Sequence, residues 1–439
     1  MGLGAADVGR ELEAAVAPGT LLTGDSAAAR AVAGVAPRFV AEPTTVIGVS
    51  RVLALASDHG LAVVPTGHGA RLGWGAPPRR VDVVLSLARL DRVLAHEPED
   101  LTLSVEGGAR LDALNGILRP HRQFIPLDPA RSGTSTIGGL IATGAAGPYR
   151  ARYGTMRDLL VGLTVVRADG TVVKGGGRVV KNVTGYDIPK LHVGALGTLG
   201  VVVEAHLRLH PRPAEERTWV FAFPSVEAAL EAALEVRDTS VVLSRCQILT
   251  AAALQALGET APPAAALAVT VGSVPEAVRT QAVRLADLCG RTGSAAIEVP
   301  DADAWWRQIS DVMWPEVGAA DLSVRIGARP TDVAKVLQAI EAIRPAAAAF
   351  RSTVDVATGV LQVVVSPVDA HDAGGIVRRT RDGLAALGAS CVVEHAPPAA
   401  GPELDVWGDI GPAIEPMRRL KRELDPGGIL NPGRYVGGI

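Results

Sequence analysis

Between Pro126 and Pro211, glycine and threonine break up the apolar runs throughout, instead of collecting at the ends of long helices. Each glycine in a helix interior costs about 1 kcal/mol relative to alanine, so this texture argues against long helices. Within it, Val161 to Val166 and Thr171 to Lys174 flank Ala168-Asp169-Gly170. An Asp-Gly pair supports a hairpin turn with positive φ. Val201 to Leu209 reads as a further strand.

The chain ahead of this segment has a second glycine-rich feature. Residues 1–40 read as a helix followed by a strand, and Pro43-Thr44-Thr45 opens a helix that carries Val46, Val49, Leu53 and Ala56 on one face until Asp58-His59-Gly60 stops it. A strand from Leu61 to Val64 runs into PTGHGARLGWG (Pro65 to Gly75), and Val81 to Leu87 and Leu101 to Val105 read as strands beyond it. A diphosphate needs many hydrogen-bond donors at close approach, and consecutive N–H groups of a glycine-rich turn supply them with no side chain in the way. Gly67-His68-Gly69 fits that need, although alone it is equally an ordinary turn. A Rossmann loop would require a helix to start here, which Gly73, Gly75, Pro77 and Pro78 forbid. The second loop, SGTSTIGGLIATGAAGPYRARYG (Ser132 to Gly154), offers another string of amides with hydroxyls among them, and VGALGTLGVV (Val193 to Val202) leads into a strand.

Beyond Pro213 strands alternate with longer helices, such as those carrying Val226, Leu230, Ala233 and Leu234, or Val333, Val336, Leu337 and Ile340, on one face. Trp219 to Phe223, Ala266 to Val271, Leu322 to Ile326 and Leu361 to Val365 are strand candidates for an antiparallel α+β layer. We place a cap over 214–400, a linker at Pro397, Pro398 and Pro402, and a tail over 401–439 that completes a first domain of 1–213. The 439 residues, 48% hydrophobic, suffice for two or three packed cores. With 43 Lys+Arg against 46 Asp+Glu, no basic field exists to grip nucleic acid or an anionic membrane. No apolar run reaches the roughly 18 residues of a membrane span, and Asp7, Arg10, Glu11 and Glu13 interrupt the start, so a cytoplasmic location is expected, with membrane association only through partners. Cys246, Cys289 and Cys391 are isolated, so redox chemistry has to come from an organic cofactor.

Taken in order, these pieces resemble the FAD-binding fold of the vanillyl-alcohol oxidase and p-cresol methylhydroxylase family. The matching stretches are PTGHGARLGWG, PLDPARSGTSTIGGLIATGAAG (Pro126 to Gly147), RYGTMRDLLVGLTVVRADG (Arg152 to Gly170), RVVKNVTGYDIPKLHVGALGTLGVVVEAHLRLHPRP (Arg178 to Pro213) and LDPGGILNPGR (Leu424 to Arg434). KNVTGYD, Leu404 to Gly408 and the tail are most similar to the FAD-binding subunits of bacterial glycolate oxidases. The resemblance implies an α+β architecture of two FAD-binding subdomains and an α+β cap with an antiparallel sheet. It implies that amides around Gly67, His68, Gly69 and Ala70, and around Thr136, Ile137, Gly138 and Gly139, wrap the pyrophosphate of FAD, with Pro65, Thr66 and Arg71 alongside. It also places Ser132, Ala142, Thr143, Tyr153, Gly154, Gly200, Val201 and Val202 along the cofactor.

The resemblance further implies a 2-hydroxy acid substrate, a second flavoprotein subunit and an iron–sulfur subunit. His68 occupies a loop where some relatives attach flavin covalently, but Gly69-Ala70-Arg71-Leu72 looks like the non-covalent members. Relatives that use a metal carry His-x-Gly-Asp-Gly-Asn with a Glu-His pair. Here only Glu394-His395 is present, so no metal is expected. Oxidation of a hydroxy acid needs a base and a cation. His395, His121 and Tyr435 are candidates for the first, and Arg325, Arg351 and Arg434 for the second, with Arg434 preferred because its turn brings the tail toward the flavin in relatives. No residue announces itself as the base. Trp305, Trp306 and Trp314 suit a core or a pocket, and Lys181 and Asp187 would fix the KNVTGYD loop. A stand-alone flavin oxidase of alcohols or hydroxy acids and a non-catalytic flavin-binding assembly subunit are the competing readings.

Overall fold

A computed structural model describes residues 5–177, 187–316, 319–344, 348–401 and 404–439. Lys181 and its neighbours through Tyr186 lie outside these residues. The first layer is a small sheet of β1 (Leu21–Thr23), β2 (Phe39–Ala41), β3 (Val63–Thr66) and β4 (Val83–Ser86) in the order β1-β2-β4-β3, with β2, β4 and β3 parallel. Helix Val46–Asp58 covers it, started by the Thr45 hydroxyl, which accepts the Gly48 N–H at 3.1 Å. Its buried Val49, Val52, Leu53 and Ala56 meet Val63, Val83 and Leu85, the valines and leucines each worth about 1.5–3 kcal/mol when taken from water.

The second layer is an antiparallel sheet of β5 (Val93–Glu97), β6 (Thr102–Glu106), β8 (Leu160–Val166), β9 (Val172–Gly176) and β10 (Val201–Arg208), ordered β5-β6-β10-β8-β9. Short β7 (Gln123–Phe124) and β11 (His210–Pro211) pair beside it. The Asp169-Gly170 turn forms where the sequence requires it, with Gly170 at φ +82°. A Cβ at Gly170 would stand 2.6 Å from the Ser50 carbonyl, so glycine is needed both for the turn and to let the hairpin dock on the helix.

The cap is one eight-stranded antiparallel sheet: β12 (Glu215–Phe223), β13 (Leu243–Thr250), β14 (Ala265–Ser273), β15 (Ile297–Glu298), β16 (Leu322–Gly327), β17 (Ala349–Asp355), β18 (Val360–Ser366) and β19 (Ser390–His395), in the order β15-β12-β14-β13-β17-β18-β16-β19. Strand periodicity separates its two faces. Leu267, Val269 and Val271 enter the main core with helices Val226–Arg237, Val333–Glu341 and Ala370–Ala385, whereas Ala266 and Ala268 turn toward Trp306 and Ile309 of helix Ala302–Val312. Trp306 is core, its Nε1 donating to Thr270 Oγ1 at 2.8 Å and to Thr218 Oγ1 at 3.1 Å.

The tail crosses back. Leu404 and Val406 still pack in the cap core, but Ile429 and Leu430 belong to the first layer, where the Val63 N–H donates to the Ile429 carbonyl and the Asn431 N–H to the Val63 carbonyl. Lys421 Nζ fastens this return by donating to Thr198 O, Leu430 O and the buried Asp425 carboxylate. Among the described residues no helix is long and apolar enough to cross a membrane.

Candidate functional site

After β3 the chain turns through Gly67 to Ala70, with Gly69 at φ +77°. The N–H groups of these four residues donate to no acceptor among the described residues. Gly67 lies so close to the second loop that a Cβ there would fall 2.3 Å from Thr136 Oγ1 and 2.7 Å from its Cγ2. The two glycine-rich loops therefore meet, and they wall two adjoining compartments.

The second loop departs from the expectation of free amides. Ile137 donates to Ala109 O, Gly138 to Gly107 O and Gly139 to the Thr136 hydroxyl, because Thr136 caps helix Ile137–Thr143 and the preceding Gly107 turn takes up the rest. Gly138 serves close packing instead, since a Cβ would stand 2.9 Å from Gly107 O. Of the two stretches expected to wrap the diphosphate, Gly67 to Ala70 keep unpaired N–H groups among the described residues and Ile137 to Gly139 do not.

Pro65, Thr66, Gly67, Thr136, Gly139 and Ala142 line both compartments. His68, Gly69, Ala70, Arg71, Thr143 and Arg434 line one, and Gly138, Gly200, Val201 and Val202 the other. The structure does not bring every expected residue there. Ile137 is fully buried beneath, Ser132 faces a different cleft beside Asp128, Tyr153 packs edge-on against Phe124 and Tyr149, and Gly154 completes the turn capped by Thr155 and Asp158. Sequence reasoning missed Gly107, His192 and Asn431. The Gly107-Gly108 doublet was a visible signal, because a Cβ at Gly107 would meet Val202 O at 2.3 Å. His192 is held neutral, its pKa pushed down to about 4 by burial.

A third compartment of about 840 Å³ opens from Arg71 and Trp74 toward the cap. Its cap wall is a polar patch on one sheet face: Arg325 pairs opposite Gln362, Gln362 opposite Thr353, and Gln247 opposite Asp355. Arg325 Nε donates to Glu394 Oε1 at 2.9 Å, and Gln362 Nε2 donates to Glu394 Oε2 at 2.8 Å, so both oxygens of the Glu-His pair's carboxylate are engaged. Arg71 donates to Ser135 Oγ and Ala130 O and lies 5.4 Å from the Trp314 ring, with burial drawing its pKa down to about 10. Arg150, contributed by the first domain, forms no side-chain hydrogen bond or ion pair among the described residues, and its Nε is buried without a partner.

The other candidates fall elsewhere. Arg434, 5% exposed, donates to Leu72 O and Trp74 O at 2.5 Å each, which makes it a strut between tail and loop. Arg351 pairs with Asp321 at 3.2 Å, and Tyr435 packs on Trp407. His121 packs edge-on against His96 in a 3₁₀ turn away from these compartments. His395 lies one residue beyond Glu394, its pKa lowered by burial, 3.5 Å from Ala319 O. Asp187 caps helix Ile188–His192 and pairs with Lys190. Among the described residues no cluster of three or more His, Cys, Asp or Glu side chains could hold a metal.

Away from the cleft, the cap is clasped to the first domain by Arg245 on β13. Its Nε donates to Asp128 Oδ2 at 2.8 Å, its guanidinium lies 3.7 Å from the Tyr149 ring centre, and Tyr149 in turn donates to Glu216 at 2.9 Å.

Comparison with known proteins gives matches to two family profiles: "FAD binding domain" over residues 37–176, and "FAD linked oxidases, C-terminal domain" over 212–396 and 409–435. The Bacillus subtilis glycolate oxidase subunit GlcD is 33% identical over 214 residues, which is 48% of this chain and 45% of that protein's own length. A probable mitochondrial D-lactate dehydrogenase of Danio rerio is 28% identical over 427 residues, 91% of this chain and 84% of that one. A substrate-bound p-cresol methylhydroxylase structure superimposes with a TM-score of 0.77 at 16% identity, covering 98% of this chain and 96% of the other, a likeness of fold.

Proposed function

Because this chain belongs to the FAD-linked oxidase family and is an FAD-dependent oxidoreductase, we propose that it oxidises a small 2-hydroxy acid in the cavity between its FAD-binding part and its cap. The observation that carries this reading is Arg150, a guanidinium on a cavity wall with no protein partner. A half-buried guanidinium with no counter-charge and one nitrogen shut off from water is costly, and a carboxylate ligand relieves it. The named relatives act on glycolate, D-lactate and, in Xanthomonas citri, D-2-hydroxyglutarate, which share an α-hydroxy carboxylate.

The division into 1–213, 214–400 and 401–439 is part of the same reading. The unpaired amides of Gly67 to Ala70 would hold the diphosphate, Thr136 and Gly139 would close over it, and Gly200 to Val202 would flank the rest of FAD. FAD, when bound, supplies the two-electron acceptor. Arg150 orients the substrate by its carboxylate, and the cap excludes water from the compartment. By analogy with the glycolate oxidase subunit, electrons would leave through a second flavoprotein and an iron–sulfur subunit, recoverable by affinity purification of the tagged chain from its own cells.

Anaerobic titration with glycolate, D-lactate and D-2-hydroxyglutarate tests the reading: at least one should bleach the flavin. Arg150→Met should raise the concentration for half-maximal bleaching roughly ten- to a hundredfold, the loss of a charged hydrogen bond worth about 1.5–3 kcal/mol. No bleaching by any of them would refute it. His68 is exposed beside the first compartment, and we expect non-covalent FAD. Acid precipitation should leave a colourless pellet and a yellow supernatant.

A further inference from the structure

The compartment that takes the substrate holds an orphan donor from the first domain and an orphan acceptor from the cap among its lining residues. Arg150 Nε is one. Asp355 Oδ2 is the other: this residue ends β17 and is only 3% exposed, and its Oδ1 is used by the turn to β18, where it accepts the Thr358 N–H at 3.1 Å, while Oδ2 has no partner. Gln247 Oε1, opposite Asp355 on β13, is likewise buried and unpaired. A hairpin turn needs one carboxylate oxygen and leaves the second unexplained. Buried polar atoms are almost always satisfied, so unpaired atoms of complementary kind around one cavity point to a ligand that answers both.

Arg150 and Asp355 form no ion pair with each other within 4.0 Å among the described residues, yet they line the same compartment and each feels the other's charge. An α-hydroxy carboxylate has the matching pair of functions on adjacent carbons: oxygens that accept from a guanidinium and a hydroxyl that donates to a carboxylate.

Resting on the reading above, we infer that Asp355 is the catalytic base that takes the substrate's hydroxyl proton, while Arg150 holds the neighbouring carboxylate. In the step, the O–H bond breaks and its proton goes to Asp355 Oδ2. The C–H bond of the same carbon breaks with its electron pair, which leaves as hydride for FAD, and the C–O bond becomes C=O. The 2-hydroxy acid is oxidised to the 2-oxo acid, and the Asp355 carboxylate becomes a carboxylic acid. Burial pushes the Asp355 pKa up to about 6, opposed by the Thr358 N–H and the Arg150 charge. A base with a pKa near the working pH is well matched to this task. The other groups around it are Cys246 and Gln247 on β13, and Arg325 and Glu394 on the same wall of the cavity. His395 lies beyond Glu394.

The test uses the flavin-loaded protein with D-lactate as reductant and pyruvate as product. Asp355→Asn keeps the shape and the acceptor for Thr358, and should slow flavin reduction about 100- to 10,000-fold while still binding pyruvate. In the wild type, pyruvate should bind with proton uptake and weaken as pH rises through about 6, because the ionised Asp355 repels a carboxylate and has no hydroxyl to accept from. Calorimetry in two buffers reads this directly, and the dependence should vanish in Asp355→Asn but persist in His395→Gln. Asp355→Glu should recover part of the rate. If wild type and Asp355→Asn are reduced at similar rates, or if the pH dependence survives in Asp355→Asn, Asp355 is not the base and the substrate assignment stands. If no 2-hydroxy acid reduces even the wild type, the substrate assignment itself falls and takes the base with it. Should Asp355→Asn lose its flavin, the wild-type proton uptake and the Asp355→Glu rate decide the matter.

Discussion

Gly67→Val is expected to give a folded protein that purifies colourless, with FAD affinity weakened at least a hundredfold, or about 2.7 kcal/mol. The first Cβ atom alone would fall 2.3 Å from Thr136 Oγ1. Thr136 cannot step aside cheaply: it is 3% exposed, its hydroxyl accepts the Gly139 N–H, and its carbonyl accepts the Leu140 N–H at the start of the helix. The first loop must therefore move, and its unpaired donors lose their alignment. Gly73→Ala is the control, since a Cβ there meets nothing within 4 Å. It should retain its flavin. The ratio of flavin to protein absorbance after desalting measures both variants. A yellow Gly67→Val protein of wild-type stoichiometry would mean that the loop contact does not shape the cofactor site.

Arg245→Met should be the most damaging single change to stability outside the cleft, costing about 3–5 kcal/mol, the usual effect of removing one partner of a buried ion pair. Arg245 has a side chain 3% exposed, and its loss leaves the Asp128 carboxylate without its counter-charge and Tyr149 without the cation over its ring. Burial already raises the Asp128 pKa, against the pull of Arg245. Without the arginine, this carboxyl would take up a proton rather than stay charged. The double variant Arg245→Met/Asp128→Asn should cost less than the two single changes summed, because the second removes the charge the first strands. Urea unfolding of all three gives the coupling energy. Additive costs would show that the clasp is packing alone.

How much of this could be read from the residues depended on what each was doing. Val46, Val49, Leu53 and Ala56 follow helical spacing behind a Thr45 cap, and Asp169-Gly170 sits between two apolar runs, so both elements were legible. So were the cap strands around Trp219 to Phe223 and Leu322 to Ile326, where the apolar content is dense. Strands β13 and β17 were not anticipated, because Arg245, Gln247, Arg351 and Asp355 interrupt their apolar pattern. Three of those four residues face the interdomain surfaces, in the clasp and the third compartment, which is why a rule built on buried apolar faces passes over them. The first glycine loop was found from composition. The second was recognised, but its amides were assigned to a ligand, although local geometry commits three of them to Ala109, Gly107 and Thr136. Arg434 was singled out for its place near the cofactor, and its carbonyl partners became visible only in three dimensions.

Residues 429–431 run beside Val63, immediately before the first glycine loop. During synthesis, this neighbour leaves the ribosome only after the whole cap has been made. A nascent chain halted short of it has Val63 unpaired along one edge and lacks the Arg434 strut behind Leu72 and Trp74. Capture of the nucleotide is thereby deferred until the cap has been made, and a product terminated before residue 429 would be released empty.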